Sequence, residues 1–304
     1  MSIDGDPLAP ARDAATADLE LGEAPAVSHR ASDHKWVNRS PAGVQMPMST
    51  RLRTGMPLLW MYAVRQVNLR YRQSALGLAW TVVQPVAILA IYGFIFVKIL
   101  DVETLDQPYL LVAWSGLTVW MYVQASIQAG AVSLLNDAYM ISRVWFPREV
   151  VPLAPVVGGF IDLGVCAAIL VPVAILHDGR LTPALLAIPF LLVILVVWVS
   201  AISVLTSTIT VFFRDMATIV ALVIRLLFIG TPVMYPAGVV PPEYGWVTAS
   251  NPFAVIVDNL RAIIIGGVWP NWDLLSLHLA IGTALLVLGM WYLRRIELRM
   301  VDII

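Results

Sequence analysis

Between residues 181 and 213 the chain reads LTPALLAIPFLLVILVVWVSAISVLTSTITVFF, thirty-three residues without Asp, Glu, Lys or Arg. About 20 predominantly apolar residues are enough for a helix to cross the hydrocarbon of a bilayer. Three more runs, Gln73 to Val97, Gln107 to Asn136 and Leu274 to Leu293, are equally free of charge. Several such runs in one chain point to an all-α integral membrane bundle. A transmembrane barrel would instead alternate apolar and polar residues in segments of roughly ten, and no such alternation is present. Composition agrees, with 59% hydrophobic and 13% charged residues where a soluble domain carries about 25% charged.

Working outward from these runs, six spans are expected, at about 78–98, 109–131, 151–176, 184–212, 217–235 and 273–293. Six crossings put both termini on one side. The charges near span ends then divide eleven to three: Arg51, Arg53, Arg65, Arg70, Arg72, Arg143, Arg148, Arg214, Arg294, Arg295 and Arg299 against Lys98, Arg180 and Arg261. The positive-inside rule places the richer side, and both termini, in the cytoplasm. Asn251 to Pro270 is not counted as a span, because Asp258 and Arg261 would each cost roughly 2.5–3.5 kcal/mol at the centre of a membrane helix. With its prolines and the Gly266-Gly267 pair, this region reads as a re-entrant or surface hairpin on the outer side, between the last two spans.

Ahead of the first span, Trp60, Val64, Val67 and Tyr71 recur at helical spacing, with Arg65, Asn68 and Arg72 along another face and Arg70 beside them. Two readings are open: an amphipathic helix lying in the membrane interface, or the basic flank of the first span. Residues 1–55 are rich in Ala, Pro, Asp and Ser and read as a disordered cytoplasmic tail, leaving 56–304 as the membrane domain. Acidic residues from Asp4 to Glu23 stand where a secretory signal would carry a basic region and an apolar run.

Several functions are excluded. A net charge of −1 gives no clustered positive surface for nucleic acid. Cys166 is the only cysteine, so the chain has no internal disulfide and no cysteine-based metal site. A P-loop places a lysine on the phosphates and a hydroxyl on magnesium; the only lysines, Lys35 and Lys98, sit in no such context. His177 and His278 are the only histidines of the membrane portion, with no triad or metal spacing around them.

Four motifs carry a resemblance. They are RYRQSALGLAW at 70–80 followed by Gln84-Pro85, Asn136 with RVWFPRE at 143–149, Phe213-Arg214-Asp215, and TPVMYP at 231–236 followed by Asn251-Pro252. In this order, over about 56–304, they resemble the transmembrane permease subunits of polysaccharide-exporting ABC transporters, the O-antigen, capsule and teichoic-acid group. Thr231 departs from the more familiar serine, and the acidic tail is not a family feature. The resemblance implies an inner-membrane homodimer that binds no cofactor itself, with Mg-ATP held by a separate nucleotide-binding subunit. The cargo it implies is a lipid-linked glycan or teichoic-acid polymer, taken from among the membrane lipids.

The candidate residues follow. The loop after the second span, with Asn136, Tyr139, Met140, Arg143, Trp145, Phe146 and Arg148, combines aromatic and Met residues with rim arginines, as protein interfaces do; the resemblance implies that it couples to the ATPase. Arg65, Arg70, Tyr71 and Arg72 belong to the helix before the first span. Tyr92, Trp114 and Trp120 are candidates to line a glycan pathway. Arg225 within the fifth span either meets a pyrophosphate or pairs with Asp162 in the third, since intramembrane charges face a partner or a wet cavity. Two rival readings are a drug or lipid efflux permease of the same architecture, and a membrane-embedded glycosyl- or acyltransferase.

Overall fold

The computed structural model describes residues 48–72, 76–99, 108–143, 146–177 and 179–303, and among them every regular element is helical. The expected tail therefore lies almost wholly outside the described residues, as does Trp145. Helix α1, Met48–Tyr71, begins ahead of the boundary expected near Gly55. The face it packs on the protein runs through Gly55, Leu59, Tyr62, Ala63 and Gln66, a period close to 3.6. Trp60 and Val64, half of the stripe read from the sequence, point away from the protein, while Val67 and Tyr71 are half-buried.

Among the described residues five helical stretches are long and apolar enough to cross a membrane: Gly77–Phe96, Tyr109–Ala131, Val150–Leu176, Pro183–Phe212 and Trp272–Glu297. The first is built on α2, Trp80–Gly93, and the second is α3, Tyr109–Ala131. After two short helices, α4 (Ser133–Asn136) and α5 (Ala138–Arg143), the third joins α6 (Val150–Gly158) to α7 (Phe160–Leu176). The fourth ends in α8, Ile188–Phe212, and the last lies in α12, Trp272–Ile303.

The expected fifth span, 217–235, is helical only as α9, Met216–Gly230. Its 15 residues reach about 22 Å, short of a hydrocarbon core about 30 Å thick. The cause is local. Thr231 precedes Pro232, which disfavours the helical conformation, and Thr231 is extended at φ −98° and ψ 131°. Between α9 and α12 lie the short α10, Gly245–Ser250, and α11, Pro252–Arg261, the latter running into a π turn at Ala262–Gly266.

Of the five membrane-length stretches α3 is the most enclosed, and it holds the centre of the core. Leu111, Leu117 and Tyr122 of α3 meet Leu191, Ile194 and Val199 of α8 and Phe253 and Ile256 of α11. The missing side chain at Gly159, where α6 gives way to α7, lets the third span close on α3, because a Cβ there would collide with Ser126 Oγ. Four hydroxyls of α8 are satisfied inside their own helix, as with Thr208 on the Val204 carbonyl at 2.6 Å and Thr210 on Thr206 at 2.6 Å, with Thr206 and Ser207 bonded likewise, whereas the buried Ser203 hydroxyl has no partner among the described residues. A second cluster, with Tyr62, Leu134, Ile141, Phe146, Val211 and Leu293, ties α1, α5 and α12 together at one end. The α2 stretch and one face of α9, with Ile219, Leu222, Leu226 and Ile229, stay uncovered.

Candidate functional site

The loop after α3 is anchored from beneath. Asp137, between α4 and α5, accepts the backbone N–H groups of Met140 and Ile141 on its carbonyl and pairs its buried carboxylate with Arg65 of α1 at 3.1 Å. Met140 Sδ lies 3.8 Å from Tyr62 Oη and 3.5 Å from Arg65 Nη1. The Tyr62 and Phe146 rings meet at 5.5 Å. Met140 is half-buried and Phe146 buried, so of the four large residues expected to be displayed, Tyr139 alone is exposed, Trp145 being outside the described residues. Its ring carries the Arg143 guanidinium at 4.0 Å from the centroid. That cation–π pair, with exposed Asn136, forms the outer surface of the loop.

Arg148 is not a rim charge. It is buried, donates to the Glu297 carbonyl, and lies 3.5 Å from the Glu297 carboxylate. Glu149 pairs in turn with Arg294 at 3.0 Å. These two crossed pairs fasten the start of α6 to the last turns of α12. The start of the third span and the end of the last are thereby held together.

Asp162 has its partners on α1. Arg70 Nη1 donates to one carboxylate oxygen at 2.6 Å and Tyr71 Oη to the other at 2.7 Å. Burial, and then Asp162 itself, push the Tyr71 hydroxyl up to about 12, so it remains a donor at neutral pH. The expected alternative partner, Arg225, stands on the exposed face of α9 and makes no hydrogen bond or ion pair among the described residues. Arg72 is exposed in the turn that ends α1.

Beside the Asp162 clamp opens a cavity of about 470 Å³, lined in part by Trp80, Gln84, Gln124 and Gln128. Trp120, Gln124 and Gln128 are four residues apart and so share one face of α3. The Trp120 indole N–H donates to Gln124 Oε1 at 3.1 Å. Aromatic rings continue from Trp120: it meets Phe228 of α9 at 5.4 Å, Phe228 meets Tyr92 at 5.7 Å, and Tyr92 meets Phe96 at 6.3 Å. Two of the expected pathway aromatics are thus joined through Phe228, which the sequence did not single out. Trp114 is elsewhere, buried with its indole N–H on the Cys166 carbonyl at 3.0 Å.

Arg261 entered the sequence reading only as an outer charge that argues against a seventh span, and its structural role was missed. Its buried guanidinium donates to the carbonyls of Val112 (2.9 Å), Val233 (2.8 Å) and Tyr235 (3.0 Å), and Nε lies 3.3 Å from Ser115 Oγ. Nearby, Asn251 caps α11 by accepting from Phe253 N at 3.0 Å, while its amide donates to Thr231 Oγ1 at 2.9 Å. The sequence motifs at 231–236 and 251–252 are therefore two walls of one joint, seated on α3. Gly116 makes room for it, since a Cβ there would lie 2.2 Å from the Val233 carbonyl oxygen.

Comparison with known proteins gives one consistent result. An O-antigen export system permease protein RfbA of Klebsiella pneumoniae is 29% identical over 250 residues, 81% of this chain and 95% of its own length. A permease of the same name from Myxococcus xanthus is 25% identical over 231 residues, covering 75% of this chain and 88% of its own. The profile of one family, described as ABC-2 type transporter, matches residues 57–265, which takes in the α5 loop, the Asp162 clamp and the Arg261 joint. The chain belongs to the ABC-2 type transporter family.

Proposed function

We propose that this chain is the transmembrane subunit of an ABC transporter that exports a lipid-linked polysaccharide across the cytoplasmic membrane. The observation that carries the reading is the likeness to O-antigen export permeases over 81% of the chain. Two copies form the pore, and a separate nucleotide-binding subunit supplies Mg-ATP hydrolysis. The uncovered α2 stretch and α9 face support the pairing, since in a monomer both would meet only lipid. Tyr139 and Arg143, exposed on a loop that is fastened from below to α1, give the ATPase a rigid handle. Deletion of the gene is expected to abolish surface polysaccharide and leave lipid-linked glycan in the cytoplasmic leaflet. Unaltered polysaccharide with changed drug sensitivity would move the reading to an efflux permease.

The same proposal extends to topology. α9 with the segment through Tyr235 completes a sixth crossing, α10 and α11 form a re-entrant hairpin on the outer side, and α1 lies in the inner interface with Trp60 and Val64 in lipid. The eleven-to-three charge division then sets both termini in the cytoplasm. In a Cys166→Ser background, Gly245→Cys is expected to label with a membrane-impermeant thiol reagent in intact cells, and Arg143→Cys only after permeabilisation. The reverse pattern would invert the topology.

For coupling, Tyr139→Ala with Arg143→Glu removes the displayed ring and reverses its cation while leaving the Met140 and Asp137 anchors in place. The variant is expected to insert at the normal level but to co-purify at least about tenfold less ATPase subunit, as loss of an interface anchor costs on the order of 2 kcal/mol. Undiminished co-purification with normal export would take the loop out of the mechanism.

A further inference from the structure

The cavity beside Asp162 contains more hydrogen-bonding capacity than the chain uses. Gln84 and Gln128 make no side-chain hydrogen bond among the described residues, and Gln124 engages only its oxygen, with Trp120. Amides in a membrane span are costly unless paired, yet three of them face one space of about 470 Å³. Gln84 lies seven residues into its span, about 10 Å along the helix, so the amides stand below the interface. The charges on the wall cancel, because Arg70 is taken up by Asp162 at 2.6 Å. An occupant is therefore neutral, rich in donors and acceptors, and in contact with an indole face, since Trp80 is half exposed at the rim. A pyrophosphate would call for surplus positive charge instead.

We propose that this cavity is a sugar subsite, in which an uncharged sugar residue of the lipid-linked cargo is held by the amides of Gln84, Gln124 and Gln128 against Trp80. The proposal rests on the exporter reading given above. The volume suits a small-molecule pocket, and amides with an aromatic plane match a ring that has hydroxyls on its edge and C–H groups on its face. The buried Trp120 ring backs the cavity through its hydrogen bond to Gln124 and continues into Phe228 and Tyr92.

In cells that make the polysaccharide, p-benzoylphenylalanine at position 128 is expected to give, on illumination, a permease band that stains for periodate-oxidised sugar. The same probe at Val193, exposed on α8, gives none. A band at twice the chain mass from position 128 would mean that a second copy covers the cavity, and no adduct would mean that it holds only water; either overturns the subsite. The Gln84→Leu, Gln128→Leu pair is expected to keep normal membrane levels and to export about tenfold less or lower, with partial recovery in the Gln84→Asn, Gln128→Asn pair. Full export by the leucine pair, in a strain where deletion of the gene abolishes export, would sink the subsite alone. Export that survives the deletion would sink the exporter reading itself.

Discussion

Arg261→Leu is expected to deplete the protein from the membrane, with a steady-state level at least tenfold below wild type. The guanidinium reaches the carbonyls of Val112, Val233 and Tyr235 and approaches the Ser115 hydroxyl. Its loss leaves the segment after α9 without its attachment to α3. Each buried group stranded in this way costs about 1–3 kcal/mol, against a total stability of about 5–15 kcal/mol. Arg261→Lys is expected to recover little, because one ammonium cannot follow the planar fork to three carbonyls. Gly116→Val should reproduce the defect from the opposite wall, where the added carbon meets the Val233 oxygen. Quantitative immunoblots of membranes and unfolding of the detergent-solubilised protein measure the effect. Wild-type levels and an unchanged midpoint in Arg261→Leu would reduce the joint to a set of incidental contacts.

What the sequence revealed and what it concealed divide along physical lines. Leu181 to Phe213 announces a span because length and absence of charge are local properties, and Pro183–Phe212 is the helix that results. The end of α9 was local too, but weaker. Thr231-Pro232 stops the helix at Gly230, and an apolar run through Met234 outweighed that signal. The α1 stripe left a different question open: with Trp60 and Tyr62 on the same helix, periodicity finds two apolar faces and does not say which one packs on the protein; that face is the one through Tyr62.

The partners of buried charges were beyond reach altogether. Asp162 and Arg225 both fall within apolar runs, so pairing them was the simplest assumption. Yet Asp162 is claimed from 92 and 91 residues upstream by Arg70 and Tyr71. Arg261 and its Val112 acceptor are 149 residues apart. No helical or strand period carries information over such distances. The resemblance at 231–236 and 251–252 did mark the right segments, and the Asn251–Thr231 bond gives a physical reason for those two motifs to occur together.

With Asp162 already occupied, Arg225 becomes the sharper test of cargo contact. A guanidinium on an exposed face of α9 is tolerated in a membrane only beside an anion or water, and within this chain its former candidate partner is held by α1. Arg225→Gln is therefore expected to insert and dimerise normally while export falls about tenfold to a hundredfold, the scale of one or two charge-assisted hydrogen bonds. Arg225→Lys should recover part of this, since an ammonium keeps the charge but not the two-pronged contact. Adding Asp162→Asn to Arg225→Gln should bring no rescue, and should add a separate defect by freeing the end of α1 from the third span. Surface polysaccharide, normalised to membrane levels of each variant, reads all three. Full export by the double variant would mean that the two charges balance each other after all, and normal export by Arg225→Gln alone would leave the arginine no part in handling the cargo.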